Sequence, residues 1–215
     1  MPGALITFEG GEGCGKSTQS ARLAARLRAA GREAVEVSEP GSTAVGFQIR
    51  NLLLHADEGQ ELDARTELLL FAASRAQLVQ QVVKPALRRG ATVLSDRFTD
   101  STLVYQGIAR GLELSFIRSL NEFAADGLRP DLTFLLDLDL AASRVRLLRR
   151  VRPAGLKDRM ESLPAAFFEK VREGYLRLAR EEPDRFCVID ASRKRDEIEE
   201  EIWNRTHGFL CRRSA

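Results

Sequence analysis

The chain has 215 residues, 44% of them hydrophobic and 30% charged, which suits one α/β domain with a full apolar core and excludes a disordered or fibrous protein. Lys and Arg number 33 but the formal net charge is only +2, so there is no general argument for a nucleic-acid binder. Three widely spaced cysteines, Cys14, Cys187 and Cys211, form no C-x-x-C pair; they argue against a disulfide framework or a zinc site and fit a reducing compartment.

No charged segment precedes a long apolar one at the N-terminus, and no apolar run approaches the roughly 20 residues of a bilayer span, so a cytoplasmic protein without membrane contact is expected. Ala4 to Glu9 reads as a buried strand and Lys16 to Ala30 as a helix stopped by Gly31. Glu33 to Ser38 is a second strand, with Val35 and Val37 alternating. Ala64 to Arg89 is a long helical segment that Pro85 is expected to bend or end. Ala91 to Ser95, Leu132 to Leu136 and Phe186 to Ile189 complete five strands, and Lys194 to Arg205 closes the chain as a helix. Strands alternating with helices predict a five-stranded parallel sheet covered on both faces, in a single domain over residues 1–215. Ligands of such sheets sit at the carboxyl ends of the strands. Glu9, Glu39, Asp96, Asp137 and Asp190 all fall at or just after predicted strand ends.

Gly10-Gly11-Glu12-Gly13-Cys14-Gly15-Lys16-Ser17 fits G-x-x-x-x-G-K-[ST], with a strand before it and a helix after it. Glycines let the backbone N–H groups wrap phosphate oxygens, and the helix start adds its unpaired donors and positive dipole end. Lys16 is expected to reach the outer phosphates and Ser17 to hold Mg²⁺ through its hydroxyl. Cys14 reads either as a reactive thiol at a helix start or as a small filler of the loop. The chain lacks an N-K-x-D guanine-reading motif and is shorter than most motor domains, which disfavours a GTPase and a motor. Phe71 and Arg75 lie four apart and share a helix face, able to offer a ring for base stacking and a guanidinium for base or phosphate. An ordinary core aromatic is the alternative for Phe71.

Further blocks follow in order: Glu39-Pro40-Gly41-Ser42-Thr43, then Phe71 with Arg75, Asp96-Arg97-Phe98-Thr99-Asp100-Ser101, Tyr105-Gln106-Gly107, Arg110-Gly111 and Asp158-Arg159-Met160-Glu161. Together with the phosphate loop this ordered set resembles the bacterial thymidylate kinases, over roughly residues 4 to 192. Ser42 departs from that family's pattern, which has a glycine there. The resemblance implies a P-loop NTPase fold with a short lid, here residues 149–162, and transfer of the γ-phosphoryl group of ATP to dTMP with Mg²⁺. It also implies a homodimer packed through long helices such as Ala64 to Lys84.

Carried onto this chain, the resemblance gives Arg97 the acceptor phosphate, with a surface salt bridge to Asp96 or Asp100 as its alternative. Glu12 is placed at the acceptor's 3′-hydroxyl, or else faces solvent. Tyr105 stands where it would obstruct a 2′-hydroxyl. Thr102 and Gln106 are candidates for the acceptor pocket or for helix surface. Glu39 is expected on the acceptor side and, with Asp96, as a Mg²⁺ partner through water. Some family members carry a catalytic arginine in the loop at the position of Gly13; others supply it from the lid. With Gly13 here, the lid must provide it, from Arg149, Arg150 or Arg152, and Arg152 is the choice. The helical run through Arg144, Arg146 and Arg149 breaks at Pro153, passes Gly155 and resumes after Pro164, as a lid requires. A solvated basic face is the alternative. Rival readings of the whole chain are a P-loop kinase of another nucleotide or deoxynucleoside, and a non-catalytic nucleotide-binding module.

Overall fold

A computed structural model describes residues 3–54, 62–149, 159 and 163–214. Strands β1 (Ala4–Glu9), β2 (Ala34–Ser38), β3 (Thr92–Asp96), β4 (Leu132–Asp137) and β5 (Phe186–Asp190) form one parallel sheet in the order β2-β3-β1-β4-β5. Ile6 of β1 pairs with Leu94 on one side and Leu132 on the other. A strand paired on both edges and covered on both faces is largely apolar, and every residue of β1 is buried, the polar Thr7 and Glu9 included. Side chains alternate across the pleat. Ile6 and Phe8 pack with Leu23 and Leu27 of α1 (Lys16–Ala29) and with Ile198 and Ile202 of α9 (Arg195–Ser214). Leu5 points the other way, into a cluster with Leu78, Val83 and Phe98.

The remaining helices are α2 (Ala44–Leu54), α3 (Ala64–Leu78), α4 (Lys84–Arg88), α5 (Thr99–Thr102), α6 (Leu114–Ala125), α7 (Leu140–Leu148) and α8 (Ala165–Glu181). Pro85 does not end the helix in which it stands. A π-helical turn over Val79–Val83 joins α3 to α4, with the Lys84 N–H donating to the Val79 carbonyl. Widening the turn takes up a residue that has no N–H and whose ring would strike the carbonyl one ordinary turn back. A second π-helical turn, Leu103–Ala109, continues α5. The predicted strands and α1 hold to within a residue or two, whereas α9 runs nine residues beyond the expected Arg205.

The sheet order reverses at β1, between β3 and β4, and the crevice at such a switch point is where α/β sheets bind ligands. The phosphate loop leaves β1 there. Among the described residues no helix is long and apolar enough to cross a membrane.

Candidate active site

The loop from Gly10 to Gly15 turns sharply out of β1 into α1. Gly10 has φ +134°, and a Cβ on it would lie 2.5 Å from the Leu136 carbonyl oxygen, so the loop can press against β4 only with glycine here. The Lys16 ammonium is buried and donates to the Gly11 and Gly10 carbonyls at 2.8 and 3.3 Å. It thus lies along the loop it would serve. The Ser17 hydroxyl donates to Asp96 Oδ2 at 2.5 Å, joining the start of α1 to the end of β3. Cys14 is buried and its thiol donates to the Gly11 carbonyl, the small filler rather than an exposed thiol.

Two clefts open from this loop. The larger, about 2280 Å³, runs along Glu12 to Ser20 and past Asp96, Arg146, Arg149, Arg193 and Arg195. The smaller, about 600 Å³, is bounded by Pro40, Leu54, Phe71, Arg75, Phe98, Ser101, Thr102, Tyr105 and Gln106. Glu12, Glu39, Arg50 and Arg97 line both.

Arg97 stands at the junction with φ +72°, a left-handed backbone unusual for a side-chain-bearing residue. Its Nη2 donates to Glu12 Oε1 at 2.5 Å and to the Tyr105 hydroxyl at 3.1 Å. Its Nη1 faces the Gly10 carbonyl, Ser101 Oγ and the Tyr175 hydroxyl at 3.1 to 3.2 Å. The salt bridge weighed for Arg97 with Asp96 or Asp100 is not made; Asp100 pairs with Arg185 instead. Burial alone would lower the Arg97 pKa, but Tyr105, Glu12, Tyr175 and Glu9 outweigh it and keep the guanidinium charged.

Beneath Arg97 lies Glu9, fully buried at the end of β1. It accepts from the Phe98 N–H, Ser101 Oγ and the Tyr175 hydroxyl at 2.8, 2.6 and 2.8 Å. Desolvation, with Asp100 adding to it, pushes its pKa up to about 7 against the pull of Arg97.

Arg75 is 1% exposed and spans the floor of the smaller cleft. It donates to Glu39 Oε2 at 2.8 Å, Asn121 Oδ1 at 2.7 Å, Thr102 Oγ1 at 2.8 Å and the Phe98 carbonyl at 3.2 Å. These bonds use four of its five N–H protons. Thr102 is therefore a buried partner of Arg75 and not helix surface. Glu39 is buried with its Oε1 unpartnered, and burial raises its pKa although Arg75 opposes the shift. Gln106 is also buried, and its Nε2 donates to Glu67 at 2.9 Å. Glu67 in turn receives Arg110 and Arg159 at 3.0 and 2.5 Å. Burial alone would raise the Glu67 pKa, but these donors hold it below the ordinary value. Arg159, from the expected lid, thus reaches Glu67, the partner of Gln106 in the smaller cleft. Phe71 is half-buried and presents its ring to the smaller cleft. Arg150, Arg152 and most of 149–162 lie outside the described residues.

Sequence reasoning passed over Arg50, Glu67 and Tyr175. Arg50 lies on α2, a helix the apolar pattern Ile49, Leu53, Leu54 could have revealed. Glu67 and Tyr175 gave no local signal. Ser42 has φ +61°, which accounts for the glycine of the resembled pattern; here Ser42 Oγ accepts from the Ser38 N–H at 2.8 Å.

A strand-led phosphate loop that shares charged residues with a separate second cleft defines a P-loop phosphotransferase. The family described as thymidylate kinase matches residues 8–202. A thymidylate kinase of Deinococcus radiodurans is 50% identical over 201 residues, covering 94% of this chain and 95% of its own. That of Clavibacter michiganensis subsp. michiganensis is 50% identical over 212 residues, covering 98% of each chain. The crystal structure of thymidylate kinase from Ehrlichia chaffeensis superposes with a TM-score of 0.74 at 34% identity, covering 94% of this chain and 97% of that one. The chain belongs to the thymidylate kinase family, and the phosphotransferase activity it carries is that of the family.

Proposed function

We propose that the chain transfers the γ-phosphoryl group of ATP to dTMP, giving ADP and dTDP, with Mg²⁺ as the accompanying cation. The observation that carries this reading is the wall common to the two clefts, formed by Glu12, Glu39, Arg50 and Arg97. A triphosphate lying along Gly10 to Ser17 and an acceptor phosphate entering beside Phe71 would meet at that wall, in line for transfer.

In this reading Lys16 leaves the Gly10 and Gly11 carbonyls for the outer phosphates. Arg97 exchanges its bond to Glu12 for the acceptor phosphate, and Arg50 flanks it. Glu12 then accepts from the sugar 3′-hydroxyl, with the Tyr105 hydroxyl, 3.3 Å from it, closing the space a 2′-hydroxyl would need. Phe71 stacks on the base, and Arg75, Thr102 and Gln106 give the cleft floor its polar edge. The acceptor phosphate is itself the nucleophile, so no general base is assigned. Arg152 of the 149–162 lid is assigned the charge on the transferring group.

The Ser17 hydroxyl is assigned to Mg²⁺ directly, and the carboxylates of Asp96, which accepts from it, and of Glu39 on the shared wall through water. When bound, Mg²⁺ neutralises phosphate charge; the protein groups orient and grip.

A homodimer belongs to the same reading. Phe47 on α2, Leu69 on α3 and Phe123 on α6 are 59%, 55% and 83% exposed, on three helices packed side by side. A cytoplasmic setting accords with three free cysteines.

The test is a panel of acceptors with purified protein, ATP and Mg²⁺. dTMP is expected to exceed AMP, GMP and CMP by orders of magnitude in kcat/KM. dUMP is expected to be weaker than dTMP by roughly 10- to 200-fold, the worth of a missing methyl in an apolar pocket. AMP or GMP as the best acceptor would overturn the acceptor assignment.

A further inference from the structure

We infer that Tyr175 is a positioning residue for the acceptor clamp: its buried hydroxyl fixes the anchored side of the Arg97 guanidinium and so sets how tightly the acceptor phosphate is held. The inference rests on the reading of Arg97 as that clamp.

The guanidinium has two sides. Nη2 meets Glu12 and Tyr105, both of which line the acceptor cleft. Nη1 faces the Gly10 carbonyl, Ser101 Oγ and the Tyr175 hydroxyl, of which only Ser101 lines that cleft. The left-handed backbone at Arg97 supplies no stabilisation of its own, so the side-chain direction depends on these anchors.

Tyr175 alone among the anchors comes from α8, remote in sequence from the loop and from β3. It is 1% exposed and does not line the acceptor cleft. Its hydroxyl donates to Glu9 Oε2 at 2.8 Å, stands 2.8 Å from Ser101 Oγ and accepts from Arg97 Nη1 at 3.2 Å. Burial and the neighbouring Glu9 push its pKa well above the ordinary tyrosine value, so it keeps the proton it donates. One oxygen therefore ties the Glu9 carboxyl to the back of Arg97.

The seat of α8 makes this possible. Gly174, the preceding residue, packs so closely that a Cβ there would lie 3.1 Å from Ile108 and 3.2 Å from Val104. Val171 and Leu178, one turn to either side, are buried in the same cluster as Leu103 and Val104. The helix is fixed against the π-helical turn that carries Tyr105, and the Tyr105 and Tyr175 rings meet edge to face at 6.3 Å.

The experiment is calorimetric binding of dTMP and of thymidine, which lacks the phosphate, to the full-length protein and to Tyr175→Phe, Arg97→Lys and the double variant. Tyr175→Phe keeps the ring and removes one oxygen. It is expected to weaken dTMP about tenfold, the worth of one hydrogen bond to a charged group, and to leave thymidine unchanged within about twofold. On the Arg97→Lys background the same change is expected to alter dTMP binding by less than about twofold, because the group it acts through has gone. Equal weakening of both ligands by Tyr175→Phe would overturn the inference and make the tyrosine a packing residue. Additive losses in the double variant would overturn it too. Should Arg97→Lys leave dTMP binding unchanged, the clamp reading falls and takes the inference with it; a large Arg97→Lys loss beside a silent Tyr175→Phe refutes the inference alone.

Discussion

Glu9→Gln is expected to make the protein's stability less dependent on pH, in a direction opposite to that of most paired carboxylates. Glu9 is fully buried, and its pKa stands at about 7 against an ordinary 4.5. Between these values the folded state holds a proton that the unfolded chain releases. The associated stability is fully present below about pH 4.5 and is lost as pH rises through about 7, a total of about 3 kcal/mol. Most of it falls between about pH 5 and about pH 8. Gln keeps the shape. Its carbonyl can accept from the Phe98 N–H, and its amide can donate to the hydroxyls of Ser101 and Tyr175, which rotate to accept. Urea denaturation of both proteins at the two pH values cancels every other titrating group. The variant should gain roughly 2–3 kcal/mol on the wild type as pH rises across that range. A difference between the two that is the same at both pH values would mean that Glu9 stays ionised throughout, and the argument from burial would fail.

Lys16→Ala should leave the fold intact and lower turnover at least about 10²–10³-fold, the cost of one preorganised charge contact; near-normal turnover would refute the phosphate-loop assignment. Arg152→Ala should lower kcat strongly with little change in the KM for dTMP, the pattern of a contact made mainly in the transition state. Silence there with loss in Arg149→Ala or Arg150→Ala would move the role along the lid, and silence in all three would end it. Glu67→Gln strips the charge that holds Arg110 and Arg159 and should destabilise the protein by about 3 kcal/mol, read as a shift in the urea midpoint at constant slope.

The sequence alone determined whatever is written in short-range spacing. Ala4 to Ser17 spells strand, loop and helix because the glycines, the apolar run and the lysine must follow one another in that order to build a phosphate cradle. The strand ends were legible for the same reason, since each strand has an acid at or just after its end. Phe71 and Arg75 could be placed on one helix face, and the ordered blocks pointed to the family that the profile and the relatives show.

Tertiary structure decided which charges meet. Glu9 lies 166 positions from Tyr175, Glu67 lies 92 from Arg159, and Glu39 lies 36 from Arg75. No local periodicity encodes such pairs; they arise when α3, α8 and the turn after β3 are folded onto one edge of the sheet. The sequence offered Arg75 and Gln106 as ligands of the acceptor, but the fold first commits them to Glu39, Thr102 and Glu67, because a buried polar group must find its partner inside the protein. It likewise carried the helix past Pro85, where a bend or an end was expected, through a π-helical turn over Val79–Val83 that takes up a residue without an N–H.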